Sequence, residues 1–299
     1  MNYAPIALFC YNRPHHLKRT IEALAKNELA RESDLHVFSD GPKPGQEENV
    51  EEVRNLLTKI EGFKSVKVHQ SPTNTGLGES ILRGVNGIFA EYDSIIVMED
   101  DLLSSPYFLS FVNEGLQKYK GDPRVASIVG YNYPIKASNS TYFLNNADCL
   151  GWATWKDTWQ FFEKDAKKLL DTLTERGLIS RFNMDDSYPF SKLLSKVIEG
   201  KNSSWAIRWY ASIFLQGKMT LYPEKSLIQH IGNDKGTNMS QSNFLDTELS
   251  MERTTMGDIP VVEDLFARKN LAKYFRKNVS YLGFIKNKIS FFLSRLKRN

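Results

Sequence analysis

Through its first hundred residues the chain alternates short apolar runs with helical patterns, an order that few folds accept. Pro5–Tyr11 (PIALFCY) reads as a buried strand. Asn12-Arg13-Pro14 stops it, with Pro14 suited to a first helical turn. Leu17, Ile21 and Leu24 then recur at helical spacing. Leu35–Ser39 is a second strand, closed by the turn-forming Asp40-Gly41-Pro42. Val50, Val53, Leu57 and Ile60 mark a second amphipathic helix, and Val66-Lys67-Val68 alternates like a third strand. From Leu77 to Phe89, Ile81, Val85 and Ile88 share one helical face. Ser94–Met98 (SIIVM) is apolar almost throughout, as a central parallel strand is. Strands alternating with helices predict an α/β chain: an open, mostly parallel sheet with helices on both faces. Ligands of such sheets sit beyond the carboxyl ends of the strands. At those ends stand Asn12-Arg13, Asp40-Gly41 and Glu99-Asp100-Asp101.

The second half is less regular. Thr141–Leu144 and Cys149–Trp155 suit strands, Asp157–Leu173 and Ser187–Ile198 suit helices, and Ser204–Gln216 is a further apolar helix. Gly232–Asn243 is polar and glycine-containing, which predicts a loop. We divide the chain into a catalytic domain over 1–260 and a basic helical tail over 261–299. Within the domain, 1–130 is the nucleotide-binding half and 131–260 the acceptor half.

Consecutive carboxylates repel, so Glu99-Asp100-Asp101 at a strand end calls for an offsetting charge. A divalent cation supplies it, and Mn2+ or Mg2+ typically sits on one or two carboxylates plus substrate phosphates. The bland alternative is a solvated acidic turn, but the apolar strand before the triplet and the two polar strand ends beside it favour a metal–phosphate site.

Asn74-Thr75-Gly76-Leu77-Gly78 through Arg83, followed by Ile95 to Leu102 (IIVMEDDL), resembles the GT-A fold glycosyltransferases. The pattern is similar to that of the eukaryotic N-acetylglucosaminyltransferase that initiates hybrid N-glycans and of bacterial sugar transferases. Phe9–Pro14, Ser39–Pro42, Gly151–Trp155 and Ser204–Trp209 support it. The resemblance implies a GT-A-like fold and a metal-dependent, inverting transfer from a nucleotide sugar, UDP-linked, to a glycan or lipid-linked acceptor. It also implies roles. Asp101 would bind the metal, with Glu99 and Asp100 on nucleotide and sugar. Arg13 would lie near the diphosphate or base, and Asp40 would accept a hydrogen bond from uracil. Asn74 and Arg83 would contact the donor. Gly151 and Trp152 would wall the sugar pocket. His230, before a glycine loop, would be a second metal ligand. An inverting transferase needs a carboxylate to take the acceptor proton. The relative has an aspartate after the tryptophan matching Trp205, whereas this chain has Ala206 there. Asp186 is the substitute taken from nearby sequence.

Other signals are weaker. Gly76-Leu77-Gly78 is no dinucleotide fingerprint, because the third glycine position is Ile81. No GxxxxGK[ST] is present. His15-His16 reads as a solvent-facing pair, and the five tryptophans, Trp152 excepted, read mostly as core.

The net charge of +4 hides an uneven distribution. Leu265–Asn299 carries ten Lys or Arg and no acid, leaving 29 basic against 35 acidic residues elsewhere. Phe284–Asn299 sets Ile285, Ile289, Phe292 and Leu296 on one helical face. A basic amphipathic helix with aromatics suits an anionic membrane surface, and no recognition motif accompanies the charge to suggest nucleic acid. Two distant cysteines, no signal-like N-terminus and no long apolar run predict a cytoplasmic enzyme at the inner face of the membrane. Two alternatives stand beside the transferase: a sugar-phosphate nucleotidyltransferase, and a non-catalytic carbohydrate- or membrane-binding module.

Overall fold

A computed structural model describes residues 3–232 and 243–278. Its first half keeps the alternation read from the sequence: β1 (Ile6–Cys10), α1 (Pro14–Leu24), β2 (Asp34–Ser39), α2 (Glu47–Leu57), β3 (Ser65–Gln70), α3 (Leu77–Ile88) and β4 (Ser94–Glu99). After β4 come β5 (Leu102–Ser104), α4 (Phe108–Lys118), β6 (Val125–Val129), β7 (Thr141–Leu144) and β8 (Trp152–Trp155). Four short helices follow: α5 (Lys156–Trp159), α6 (Ala166–Glu175), α7 (Ile179–Phe182) and α8 (Phe190–Ile198). The described chain closes with α9 (Trp205–Leu215), β9 (Met219–Pro223), β10 (Ile228–His230) and α10 (Leu265–Asn278).

The main sheet has eight strands in the order β3-β2-β1-β4-β8-β6-β9-β7. β3, β2, β1 and β4 run parallel; β8 enters antiparallel between β4 and β6. β5 and β10 form a separate antiparallel pair. This is the mostly parallel, helix-covered α/β sheet expected, and its carboxyl ends gather the polar loops on one rim.

Local chemistry sets the element boundaries. Pro14 opens α1 without losing a needed N–H. The helix read over Asp157–Leu173 is two helices. Asp165 caps the second by accepting from the N–H groups of Lys167 and Lys168, and caps sit outside helical φ/ψ. α3 lies tight on the sheet because Gly84 faces Phe9 and Phe38; a Cβ there would stand 2.7 Å from Phe9 and 3.1 Å from Phe38.

α10 docks on the body rather than trailing from it. Ala267, Leu271, Ala272 and Phe275 are buried. Arg268, also buried, bridges Asp185 at 2.8 Å and Glu263 at 3.0 Å. The amphipathic segment 284–299 and most of the polar loop Gly232–Asn243 lie outside the described residues.

Candidate active site

β4 ends at Glu99 and β5 begins at Leu102, so Asp100 and Asp101 turn the chain between the two sheets. Pairing of β10 with β5 sets His230 opposite Leu102, next to Asp101. The Ile231 N–H donates to the Asp101 carbonyl at 2.9 Å, fixing that approach. Arg13, at the start of α1, places Nη1 3.0 Å from Asp101 Oδ2. His230 Nε2 stands 3.4 Å from the same oxygen. The fold thus brings together Arg13, Asp101 and His230, from three segments distant in sequence.

The three acids are not equivalent. Asp100 Oδ2 accepts from the Tyr11 N–H at 3.0 Å, and its carbonyl accepts from Thr20 Oγ1 at 2.8 Å. Its side chain therefore ties the end of β1 to the end of β4. Burial, then the charge of Asp101, pushes the Asp100 carboxyl up to about 7. Burial, then Asp101 and Asp100, raises Glu99 to about 8. For Asp101, burial pushes up too, but the His230 hydrogen bond and the fields of His230 and Arg13 outweigh it. Its carboxyl is held below the usual range. Three adjacent buried carboxylates cannot all ionise, and the contacts with Arg13 and His230 favour ionisation of Asp101.

Gly232 passes directly over this group. A Cβ there would fall 2.2 Å from Asp101 Oδ2 and 2.9 Å from His230 Nε2. Glycine is the residue that lets the backbone come so close.

Other expected positions meet a different fate. Asp40 is buried and its carboxylate is already filled: it accepts from the N–H groups of Gly41, Thr75 and Gly76 and from Thr75 Oγ1. A carboxylate offers about four acceptor sites, so the expected bond from uracil has no free oxygen in this arrangement. Asp40 instead pins the 73–76 loop across the end of β2. Asn74 helps, donating to the Gly41 carbonyl at 2.9 Å. Arg83 lines a separate cleft of about 340 Å3 with Phe38, Lys67 and His69, away from the acids.

Gly151 has φ +64°, and a Cβ on it would stand 2.6 Å from Ile228 and 3.3 Å from Met98 Sδ. It is a close-approach glycine beside β4. Trp152 does not wall a sugar pocket. It is fully buried, with Trp159, Trp205 and Trp209 at ring distances of 5.6–6.0 Å. The signal that misled is the preceding glycine; alternation in β8 turns Trp152 inward. Asp186 is exposed, and Ser180 Oγ donates to its carboxylate at 2.6 Å. No described contact links it to the acids, so the structure does not support Asp186 as the base.

Sequence reasoning missed Asp148. β8 runs antiparallel to β4 with Trp152 opposite Val97. Residues 148–151 lead into that pairing. Asp148 accepts from Tyr222 Oη at 2.9 Å, Tyr133 Oη at 3.1 Å and Asn146 Nδ2 at 3.1 Å. Burial raises its carboxyl to about 6, against the lowering by both tyrosines. Burial raises the Cys149 thiol, and the charges of Asp148 and Glu99 add to it. An acid just before the glycine of a strand beside β4 was the available clue.

The model of the family described as glycosyl transferase family 2 matches residues 6–183, well over half the chain. The chain belongs to glycosyl transferase family 2. As a family 2 transferase with this sheet, it is a GT-A fold glycosyltransferase. Among solved structures it is similar to a mannosyltransferase from Pyrobaculum calidifontis in complex with GDP-Man and Mn2+. The identity is 10% and the TM-score 0.40, over 72% of this chain and 70% of that one. It is also similar to S. aureus TarS, at 14% identity and TM-score 0.43, covering 77% of this chain and 37% of TarS. A shorter TarS (1–349) in complex with UDP gives 14% and 0.43, over 76% and 59%. No curated protein matches.

For this transferase, a bound cation would rest on few protein ligands. Among the described residues no group of three or more His, Cys, Asp or Glu side chains stands ready to ligate one. Asp101 Oδ2 and His230 Nε2 lie 3.4 Å apart, close enough that both would reach one ion. An oxygen–imidazole pair suits Mn2+ better than Mg2+. Donor phosphates and water would complete the sphere, the usual pattern for such ions. The residues fit the group.

Proposed function

We propose that this family 2 transferase moves a sugar from a nucleoside diphosphate sugar, UDP-linked, to a hydroxyl of a glycan or lipid-linked acceptor, with inversion and with a divalent cation. We place it at the inner face of the cytoplasmic membrane, in surface polysaccharide or glycoconjugate synthesis. The carrying observation is the convergence of Arg13, Asp101 and His230 at the rim where the parallel strands end. Binding of GDP-Man with Mn2+ and of UDP in the two neighbours agrees with a nucleotide-linked donor.

In this reading Arg13 sits at the start of α1, where the helix N-terminus also favours anions. It meets the negative charge that grows on the leaving diphosphate. Asp101 and His230 would hold Mn2+ or Mg2+, which when bound adds charge neutralisation at the same oxygens. Asp100 and Asp40 keep the β1 and β2 loops in register beneath the donor. Asp148 is our candidate proton acceptor. Its carboxyl near 6 is ionised at neutral pH, yet basic enough to take the acceptor's proton. The two tyrosine hydroxyls orient it.

The test is thermal shift and donor turnover against a panel of nucleotide sugars with and without Mn2+, run on the parent and on D101N. A Mn2+-dependent shift with one nucleotide family, and loss of turnover by roughly a thousandfold or more in D101N, are expected. Full turnover in D101N overturns the site. Turnover of UTP plus sugar phosphate in place of UDP-sugar would favour the nucleotidyltransferase.

A further inference from the structure

α10 has two unlike faces. At 100° per residue, the buried Ala267, Arg268, Leu271, Ala272 and Phe275 span an arc of about 140°. The opposite arc, about 120° wide, holds Leu265, Phe266, Lys269, Lys273, Arg276 and Lys277, all exposed. Leu265 is 68% and Phe266 50% exposed, and Val262 just before the helix is 58% exposed. Eight large hydrophobic side chains are exposed among the described residues, and these three fall within five positions. They rim a cleft of about 350 Å3 together with Ile259 and Pro260. No acid stands between Leu265 and Asn278. The two acids just before the helix are committed elsewhere. Glu263 pairs with Arg181 and Arg268, and Asp264 caps α10 through the N–H groups of Phe266 and Ala267.

We propose that this outward face of α10 is a docking surface for an anionic lipid bilayer. A contiguous apolar cluster on a soluble body marks an interaction site. Here the apolar cluster sits at one end of a helix whose exposed side is otherwise only cationic. That pairing matches a bilayer interface: the acyl–headgroup boundary accepts Val262, Leu265 and Phe266, while anionic headgroups neutralise the lysines and Arg276. The charge complementarity selects an anionic surface over a neutral one. This surface is distinct from the 284–299 segment singled out in the sequence, and it lies on a helix anchored to the catalytic body. Docking through it would fix how the body faces the bilayer. The inference rests on the membrane-face location proposed above, and donor hydrolysis measured in parallel separates a failure of one from a failure of the other.

The experiment titrates full-length protein with vesicles of phosphatidylcholine alone and of phosphatidylcholine with phosphatidylglycerol, reading co-sedimentation. The parent is expected to bind the mixed vesicles and to lose binding in high salt. L265S/F266S is expected to bind them roughly tenfold more weakly or worse, through lost apolar insertion. K269E/K273E is expected to lose more than tenfold, since each cation near an anionic leaflet is worth roughly fivefold. Both variants should keep the parent's melting temperature and donor hydrolysis, because all four side chains point to solvent. A control, F292S/L296S, reports the last segment separately. Unchanged binding by both α10 variants overturns the proposal, whatever the control does. So does a parent that ignores mixed vesicles, or one that uses Leu265 and Phe266 to self-associate instead.

Discussion

Asp101 is held between the Arg13 guanidinium and the His230 imidazole, and that setting decides what the acid triplet can do. Arg13 is always charged, while His230 is a nitrogen donor that can also face a metal. Both meet one oxygen of Asp101. The backbone above that oxygen is Gly232, and G232A would place a methyl 2.2 Å from it. The side chain cannot yield without giving up Arg13 or His230. We therefore predict that G232A weakens donor binding by roughly tenfold or more in a titration, since a hydrogen bond to a charged group is worth about 1.5–3 kcal/mol. The far-ultraviolet circular dichroism should stay unchanged. Parent-like donor affinity in G232A would contradict this placement. Asp148 gives a second test with a worked sign. Its folded value of about 6 exceeds the ordinary 3.8. The native state binds the proton more tightly than the unfolded chain, so this contribution stabilises fully below pH 4 and is lost as pH rises through 6. D148N should therefore gain on the parent by roughly 1–3 kcal/mol in denaturant unfolding between pH 4 and pH 7. The same variant should lose roughly a hundredfold or more in kcat while keeping donor affinity. A flat difference with pH, or an unchanged kcat, removes Asp148 from its role.

At the scale of elements, the first half was legible because each strand there is continuous and each helix keeps one apolar stripe. β1 and β4 are flanked on both sides in the sheet, so their burial is written as nearly unbroken apolar runs. The second half packs short helices against a mixed edge, and apart from Thr141–Leu144 its segments were read too long; Asp165 breaks one of them in two by capping. α4 and β6 left no distinct mark beside their neighbours. The cluster was legible where its residues stand at strand ends, as at Arg13 and Asp101, which the fold brings into contact. It was illegible where partners come from remote segments. Nothing local says that Asp40 spends its carboxylate on Thr75 and Gly76, or that Trp152 faces three other tryptophans. Close helix–sheet contact was equally hidden in a single glycine. Gly84 lets α3 meet Phe9 and Phe38, whose rings stack at 4.9 Å. G84V forces a branched side chain into that contact, and overpacking of this kind costs about 1–3 kcal/mol. Together with the lower helix propensity of valine, this should lower the melting temperature by several degrees. Donor KM well below the transition should be unaffected, because no described hydrogen bond or ion pair joins Glu99, Asp100 or Asp101 to α3. A melting temperature equal to the parent's would show that the sheet can yield at this point.

For the whole molecule the question is whether the basic C-terminal region belongs to the body. Arg268 answers it for α10. Its side chain is 5% exposed and that of Glu263 is 6% exposed, with 3.0 Å between their charged atoms. Arg268 also reaches Asp185 and donates to the Arg181 carbonyl at 2.9 Å. It therefore joins α10 to the turn after α7, where Met184, Asp185 and Asp186 all have positive φ. Such a backbone persists only where its surroundings hold it, and Arg268 and Arg276, the latter donating to the Asp185 carbonyl at 2.7 Å, are those surroundings. Removing one member of a buried pair leaves the other charge unmatched, at a cost of about 3–5 kcal/mol. R268A should thus destabilise global unfolding by about that amount, not merely fray one terminal helix. R268M/E263Q, which removes both charges and keeps the volume, should recover most of the loss. Urea unfolding followed by tryptophan fluorescence reads the body alone, because all five tryptophans lie between Trp152 and Trp209. If α10 were an independent tail, R268A would leave that transition where it stands in the parent. A shifted transition, restored in the double variant, makes α10 part of the cooperative unit. In that case the cationic face of the helix is held at a fixed angle to the strand ends that carry Asp101.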